Sequence, residues 1–182
     1  MSTLIQPGTV LLSAEQIAPI VARLGREISR DYTGRHPILI SLLKGGVVFL
    51  ADLIRQITIP HHIEFLQVSS YGGGTTHTGG VKIVTDLAVP VEGRDVIIVE
   101  DVVDTGMTLA YIVEVLRLRN PGSLEICALL RKRVATPTGI SVRYLVYYLL
   151  DKLPITDIGK YVDPASADSI RGRNSSARGP CE

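Results

Sequence analysis

The chain has 182 residues, enough for one domain with a sizeable core, and 46% of them are apolar. Its net charge is +1, so composition argues against a nucleic-acid partner or an anionic membrane surface. No apolar run is long enough to cross a bilayer and no leader pattern stands at the N-terminus, so we expect a soluble cytoplasmic protein. Cys127 and Cys181 make no disulfide framework, and the apolar run around Cys127 predicts that it is buried.

Strand and helix patterns alternate along the chain. Ser13 and Gln16 form a capping-box pattern ahead of apolar residues at helical spacing, which predicts that a helix begins at residue 14. The patterns predict helices over 14–30, 47–57 and 109–118. They predict strands over 37–43, 63–68, 81–84 and 124–130, and a further strand from residue 95 to the acids at 100 and 101. The segment 141–150 is strand-like. This alternation predicts an α/β fold with a largely parallel sheet flanked by helices.

Residues 69–80 are rich in glycine and threonine and nearly free of apolar side chains. Such a stretch cannot be held in place by burial, and it is too long for a tight hairpin turn. We interpret it as a mobile functional loop. A passive linker between two strands is the alternative, and composition alone does not separate the two.

The most informative segment is residues 96–108. A run of β-branched residues ends at Glu100 and Asp101, and the polar stretch 104–108 (Asp-Thr-Gly-Met-Thr) then precedes an apolar helical pattern. In open α/β sheets, ligands bind at this edge, and a glycine with small hydroxylated residues before a helix exposes backbone N–H groups that suit a phosphate. Adjacent carboxylates beside a phosphate suit ribose hydroxyls or a phosphate-bound Mg²⁺. A polar surface turn is the alternative, which the length of the motif disfavours.

This segment resembles the motif of the type I phosphoribosyltransferases. The variant here is similar to the hypoxanthine-guanine (6-oxopurine) branch, which reads Glu-Asp, two apolar residues, then Asp-Thr-Gly-x-Thr. The resemblance implies a mostly parallel central sheet flanked by helices, with a small hood and a mobile loop. It also implies transfer of the phosphoribosyl group from phosphoribosyl pyrophosphate (PRPP) to hypoxanthine or guanine, giving IMP or GMP and pyrophosphate in purine salvage. Mg²⁺ is the implied cofactor, and the family usually forms homodimers or homotetramers.

The resemblance assigns the PRPP half of the site. Glu100 and Asp101 are expected to hold the ribose hydroxyls and metal-bound PRPP. Lys44 and Gly45 match the family's Leu-Lys-Gly-Gly segment, whose backbone contacts pyrophosphate. The expected 5′-phosphate loop consists of Asp104, Thr105, Gly106, Met107 and Thr108.

The resemblance also assigns the base half. Asp104 is the candidate general base at the purine N7, and Lys132 matches the lysine that donates a hydrogen bond to the purine 6-oxygen. Ser70 and Tyr71 begin the catalytic loop that closes over PRPP. Asp163 is a looser match to the acid that meets the exocyclic 2-amino group of guanine.

Beyond about residue 145 the sequence departs from the family pattern. The stretch 164–182 has almost no apolar residues, so we expect a phosphoribosyltransferase domain over 1–163 and a disordered or atypical tail over 164–182. A change of reading frame near residue 145 and a rebuilt C-terminal segment both remain open. The departure leaves the stacking ring open among Tyr147, Tyr148 and Tyr161, together with the choice among hypoxanthine, guanine and xanthine. A PRPP-binding regulator or an inactive paralogue is the alternative function.

Overall fold

The computed structural model describes residues 12–71, 80–132 and 139–149. The helices are α1 (Ala14–Asp31), α2 (Val47–Ile54) and α3 (Met107–Arg117). The strands are β1 (Ile38–Leu43), β2 (His62–Tyr71), β3 (Gly80–Thr85), β4 (Asp95–Val103), β5 (Ser123–Lys132) and β6 (Tyr144–Leu149). They form one sheet in the order β3-β2-β1-β4-β5-β6, and every neighbouring pair is parallel except β2 with β3. The predicted α/β fold with a mostly parallel sheet is therefore confirmed.

Helix α1 begins where the capping box predicts. The Ser13 backbone N–H donates to Gln16 Oε1 at 2.8 Å, and the Gln16 N–H donates to Ser13 Oγ at 3.4 Å. These two bonds satisfy backbone donors that the first helical turn leaves without partners. Leu24 and Ile28 lie on one face of the helix and are fully buried, which fixes α1 against the sheet.

Two apolar layers cover the two faces of the sheet. On one face, α1 and α2 pack over β-strand residues such as Leu39 and Ile97. On the other face, α3 packs over residues such as Ile40 and Ile98. Because successive residues of a strand point to opposite faces, β1 and β4 must be largely apolar on both sides, which explains the consecutive apolar residues of each strand.

The strand residue Cys127 is fully buried, as predicted, and burial raises the pKa of its thiol. It acts as a small apolar residue of the core. None of the described helices is long and apolar enough to cross a membrane.

The structure shifts the bounds of several predicted elements: α3 begins at Met107 and not at residue 109, β5 continues to Lys132, and β6 begins at Tyr144 and not at residue 141. The loop predicted over 69–80 begins later, since Ser69, Ser70 and Tyr71 continue β2 and pair with Lys82, Val81 and Gly80 of β3. Backbone ladder hydrogen bonds hold this stretch, so it does not need the apolar side chains that it lacks. Helix α2 ends at Ile54 and not at residue 57. The hood, the tail over 164–182 and the loop residues 72–79 lie outside the described residues.

Polar contacts at the amino end of β6 tie this last strand to α1. Asp31 of α1 accepts a hydrogen bond from the Tyr144 hydroxyl at 3.0 Å and one from Arg143 at 3.1 Å. Arg143 also pairs with Glu125 of β5 at 3.2 Å. Burial, and next the bond to Asp31, raise the pKa of Tyr144, so its phenol stays protonated and donates.

We predict that Tyr144→Phe lowers the free energy of unfolding by about 1–2 kcal/mol, because Asp31 loses a partly buried hydrogen bond. Urea denaturation measures this loss as a lower midpoint at an unchanged slope. Tyr111→Phe is the matched control: Tyr111 is partly buried against the other layer, and its hydroxyl makes no hydrogen bond among the described residues. Equal effects of the two substitutions would contradict a role for the Asp31 bond.

Candidate active site

The candidate site lies where the chain leaves two adjacent parallel strands towards opposite faces of the sheet. β1 leads into α2, which packs on one face, and β4 leads into α3, which packs on the other. The two strands pair from Ile38 with Val96 to Ser41 with Val99. Beyond that last pair the two segments diverge, which creates a crevice at the carboxyl ends of the strands, the usual ligand site of an open α/β sheet.

Two carboxylates from β4 line the crevice. Asp101 is buried, and its Oδ1 accepts a hydrogen bond from the Val102 N–H at 2.8 Å. Burial, and next the neighbouring Asp101 charge, raise the pKa of Glu100 from 4.5 to about 8. Carboxyl groups with a pKa raised by burial and a like-charged neighbour cluster at binding and catalytic sites.

The glycine turn between β1 and α2 packs directly against these acids. A Cβ added to Gly45 would lie 3.3 Å from Asp101 Oδ1. A Cβ added to Gly46 would lie 2.5 Å from Ser41 Oγ and 3.3 Å from Glu100 Oε2. Glycine is therefore required here by close approach: any side chain at residue 46 would push the turn away from β4.

Lys44 begins this turn, follows a cis peptide bond from Leu43, and is exposed. Helix α2 starts directly after the turn, and no side chain caps its first backbone N–H groups. The turn thus offers an ammonium group and helix N–H donors at the same edge as the two carboxylates. This combination suits an anion that also carries a metal ion or hydroxyl groups.

The predicted phosphate loop joins β4 to α3. Gly106 is buried, and its φ of 77° lies in the left-handed region that glycine adopts readily. Thr105 Oγ1 accepts a hydrogen bond from the Met107 N–H at 3.4 Å. The remaining loop side chains are exposed: Asp104, Thr105, Met107 and Thr108. The N-cap residue Gly106 has no side chain to cap α3, so the N–H groups that follow Met107 in the first turn stay accessible to a phosphate.

Lys132 and Asp104 form an ion pair. The Lys132 ammonium lies 2.9 Å from Asp104 Oδ1, with side-chain exposures of 11% for lysine and 60% for aspartate. The parallel register of β4 and β5, which pairs Val103 with Arg131, brings the carboxyl ends of both strands to one edge. Sequence reasoning placed both residues in the base half of the site but did not predict that they pair.

Other predicted site residues are only partly described. The backbones of Ser70 and Tyr71 end β2, the neighbour of β1, and their side chains lie outside the described part of the structure. Asp163 and Tyr161 also lie outside it, as do the side chains of Tyr147 and Tyr148. Their roles stay predictions.

Sequence reasoning missed Ser41. Its side chain is fully buried, and its hydroxyl has no hydrogen-bond partner among the described residues. The available signal was a single hydroxyl residue inside the apolar run of β1, directly before the glycine turn.

Comparison with known proteins agrees with this geometry. A family model described as a phosphoribosyl transferase domain matches residues 9–152. The hypoxanthine-guanine phosphoribosyltransferase of Mycobacterium tuberculosis is 47% identical over 143 residues, covering 75% of this chain and 71% of the relative.

Solved structures of hypoxanthine phosphoribosyltransferases superimpose on this chain. A hypoxanthine phosphoribosyltransferase from Staphylococcus aureus superimposes with a TM-score of 0.75 at 39% identity, over 81% of this chain and 80% of that one. The hypoxanthine phosphoribosyltransferase from Trypanosoma cruzi in complex with the product IMP has a TM-score of 0.73 at 34% identity, over 83% and 85% of the two chains. The family match spans all six described strands and both halves of the crevice, so the chain belongs to the phosphoribosyltransferase family, in its hypoxanthine-guanine branch.

Proposed function

We propose that this chain transfers the 5-phosphoribosyl group from PRPP to a 6-oxopurine, hypoxanthine or guanine, giving IMP or GMP and pyrophosphate. The observation that carries the proposal is the Lys132–Asp104 ion pair beside the phosphate-binding crevice. A cytoplasmic homodimer or homotetramer, as the sequence led us to expect, is part of the same proposal.

The crevice supplies the PRPP half of the site. Lys44 and the backbone at Gly45 bind pyrophosphate, and the loop over 104–108 binds the 5′-phosphate at the start of α3. Glu100 and Asp101 accept hydrogen bonds from the two ribose hydroxyls. The three phosphates of PRPP are thus bound by N–H donors and an ammonium group, and its ribose hydroxyls donate to carboxylates.

The donor set also fits Mg²⁺. Mg²⁺ binds proteins through one or two carboxylates plus substrate phosphates, and Glu100 with Asp101 supplies such a pair at the crevice. Among the described residues, no group of three or more His, Cys, Asp or Glu is placed to hold a metal ion by itself. When bound, Mg²⁺ neutralises the charge of the leaving pyrophosphate.

The ion pair matches one edge of a 6-oxopurine. Lys132 presents a donor and Asp104 an acceptor, 2.9 Å apart. Hypoxanthine and guanine offer an acceptor at O6 and, in the N7–H form, a donor beside it. Adenine carries an amino group at the 6-position. This donor would face the Lys132 ammonium, which is also a donor, and neither group would have an acceptor. The pair therefore selects 6-oxopurines over adenine.

Asp104 also acts as the general base. In the N7–H form, the purine N9 keeps its lone pair and attacks the anomeric carbon of PRPP. The N9–carbon bond forms, the bond from carbon to the pyrophosphate oxygen breaks, and pyrophosphate leaves with the electron pair. The N7 proton passes to the Asp104 carboxylate within hydrogen-bond reach.

The first experiment is a spectrophotometric turnover assay with Mg²⁺ and PRPP that offers hypoxanthine, guanine, xanthine and adenine in turn. We expect turnover of hypoxanthine or guanine and none of adenine. Turnover of adenine would contradict the role of the ion pair. PRPP binding by calorimetry without turnover of any base would favour the alternative, a PRPP-binding regulator or an inactive paralogue.

We predict that Asp104→Asn lowers kcat by about 10²–10⁴-fold, the usual contribution of a general base. The affinity for PRPP changes little, because the phosphate loop keeps its backbone and the amide oxygen can still accept from Lys132. Steady-state kinetics and calorimetry give the two numbers. Asp86→Asn is the matched control, since Asp86 pairs with Arg119 away from the crevice. An unchanged kcat in Asp104→Asn would remove Asp104 from the base role.

We predict that Glu100 makes the free chain less stable as pH rises from about 5 to 8. Its pKa is about 8 in the folded chain and near the ordinary 4.5 when unfolded, so only the folded chain keeps the proton in this interval. The stabilisation from protonated Glu100 is complete below the pKa that this residue has in the unfolded chain. It is lost as pH rises through the pKa that Glu100 has in the folded chain. One proton limits the slope to about 1.4 kcal/mol per pH unit.

Urea unfolding at several pH values, without Mg²⁺ or PRPP, measures this slope. Glu100→Gln is expected to remove the downward trend that Glu100 causes. Glu114→Gln, which changes an exposed residue of α3, serves as the control and is expected to keep the wild-type profile. Identical profiles for wild type and Glu100→Gln would show that Glu100 is already ionised across this range.

A further inference from the structure

Ser41 is a buried hydroxyl at the floor of the crevice. It pairs with Val99 in the last rung of the β1–β4 ladder, and it lies on the face of β1 that α2 covers, as Leu39 does. Its exposure is 0%, and its oxygen has no hydrogen-bond partner among the described residues. Buried polar atoms without a partner are uncommon in folded proteins, so this one calls for an explanation.

The position of the Ser41 hydroxyl indicates which group it can bind. The point where a Cβ of Gly46 would stand lies 2.5 Å from Ser41 Oγ, 3.1 Å from the Val99 carbonyl oxygen and 3.3 Å from Glu100 Oε2. The hydroxyl therefore faces Gly46, and the Glu100 carboxylate reaches the same residue from the neighbouring strand. No hydrogen bond joins the two oxygens in the ligand-free chain, so a rotation of one side chain is needed to form it.

We propose that Ser41 is a positioning residue of the phosphoribosyl site: when PRPP binds, its hydroxyl donates to the Glu100 carboxylate and holds Glu100 and the Lys44–Gly46 turn in the binding arrangement. The inference rests on the proposed function. The Glu100 carboxylate accepts one hydrogen bond from the Ser41 hydroxyl and another from a ribose hydroxyl. Gly46 has no side chain that would fill the space between Ser41 and Glu100. Ser41 touches neither base nor reacting atoms, so its effect falls on PRPP binding and not on the chemical step.

The test compares the full-length wild-type chain with Ser41→Ala by calorimetry with Mg²⁺ and PRPP and by steady-state kinetics with hypoxanthine. We expect Ser41→Ala to raise the Kd and KM for PRPP about fivefold, the effect of one net hydrogen bond. The kcat and the KM for hypoxanthine change by less than about twofold. The thermal midpoint of the ligand-free chain stays equal or rises, since the substitution removes a buried hydroxyl that has no partner among the described residues before PRPP binds.

Two further variants separate positioning from packing. Ser41→Cys keeps a small side chain with a weak donor, and its PRPP affinity is expected to lie between those of wild type and Ser41→Ala. Ser29→Ala is the matched control: Ser29 is buried, donates to the Gly25 carbonyl at 2.7 Å and accepts from the Thr58 N–H at 2.9 Å. It is expected to lower the thermal midpoint and leave the KM for PRPP unchanged.

Binding of PRPP to the wild-type chain and to Ser41→Ala separates the role of Ser41 from the proposed function. Wild-type binding of PRPP with an unchanged Kd in Ser41→Ala would overturn the role of Ser41 and leave the proposed function intact. Failure of the wild-type chain to bind PRPP would overturn the proposed function, and this inference with it. A parallel loss of midpoint and affinity in Ser41→Ala would identify Ser41 as a packing residue and also overturn the inference.

Discussion

The parallel pairing of β1 with β4 is the constraint on which the site depends. The two strands lie at the centre of the sheet, and each is followed by a helix on a different face. Their ladder ends at Ser41 and Val99, so the segments beyond this rung must separate. Every candidate PRPP ligand lies on one of these two departing segments. Burial of both faces of β1 and β4 fixes this geometry, and the crevice needs no specialised loop to keep it open.

Electrostatics then decides what the crevice can bind. Burial, and next the charge of the adjacent Asp101, make ionisation of Glu100 costly and raise its pKa. A bare anion would add repulsion to this pair. A ligand that brings hydroxyl donors and a divalent cation relieves it, while Lys44 and the N–H groups of α2 receive the phosphates. Under the proposed function, the same acids that repel free phosphate favour a metal-bound sugar phosphate.

Local patterns predicted the elements that are fixed locally. The capping box placed the start of α1, and β-branched residues placed β4 with its terminal acids. The strand pairing of Ser70 and Tyr71 was missed because a backbone ladder, which carries no side-chain signal, holds them. The Lys132–Asp104 pair was equally hidden, since its partners meet only through the register of β4 and β5. Ser41 was missed because a serine within an apolar run is compatible with any buried strand.

The Lys132–Asp104 pair also explains why the two residues must be considered together. Lys132 is only 11% exposed, so its ammonium group cannot rely on water and depends on Asp104. Removing the aspartate outright would leave a nearly buried charge without a partner, and lost activity would then confuse catalysis with collapse of the pocket. Asparagine keeps an oxygen acceptor for Lys132 and removes the basic carboxylate, which isolates proton transfer from pocket structure. Under the proposed mechanism, the partner that stabilises Lys132 is also the group that takes the proton, and a base that bonds to both satisfies the lysine while presenting its N7–H to the acceptor.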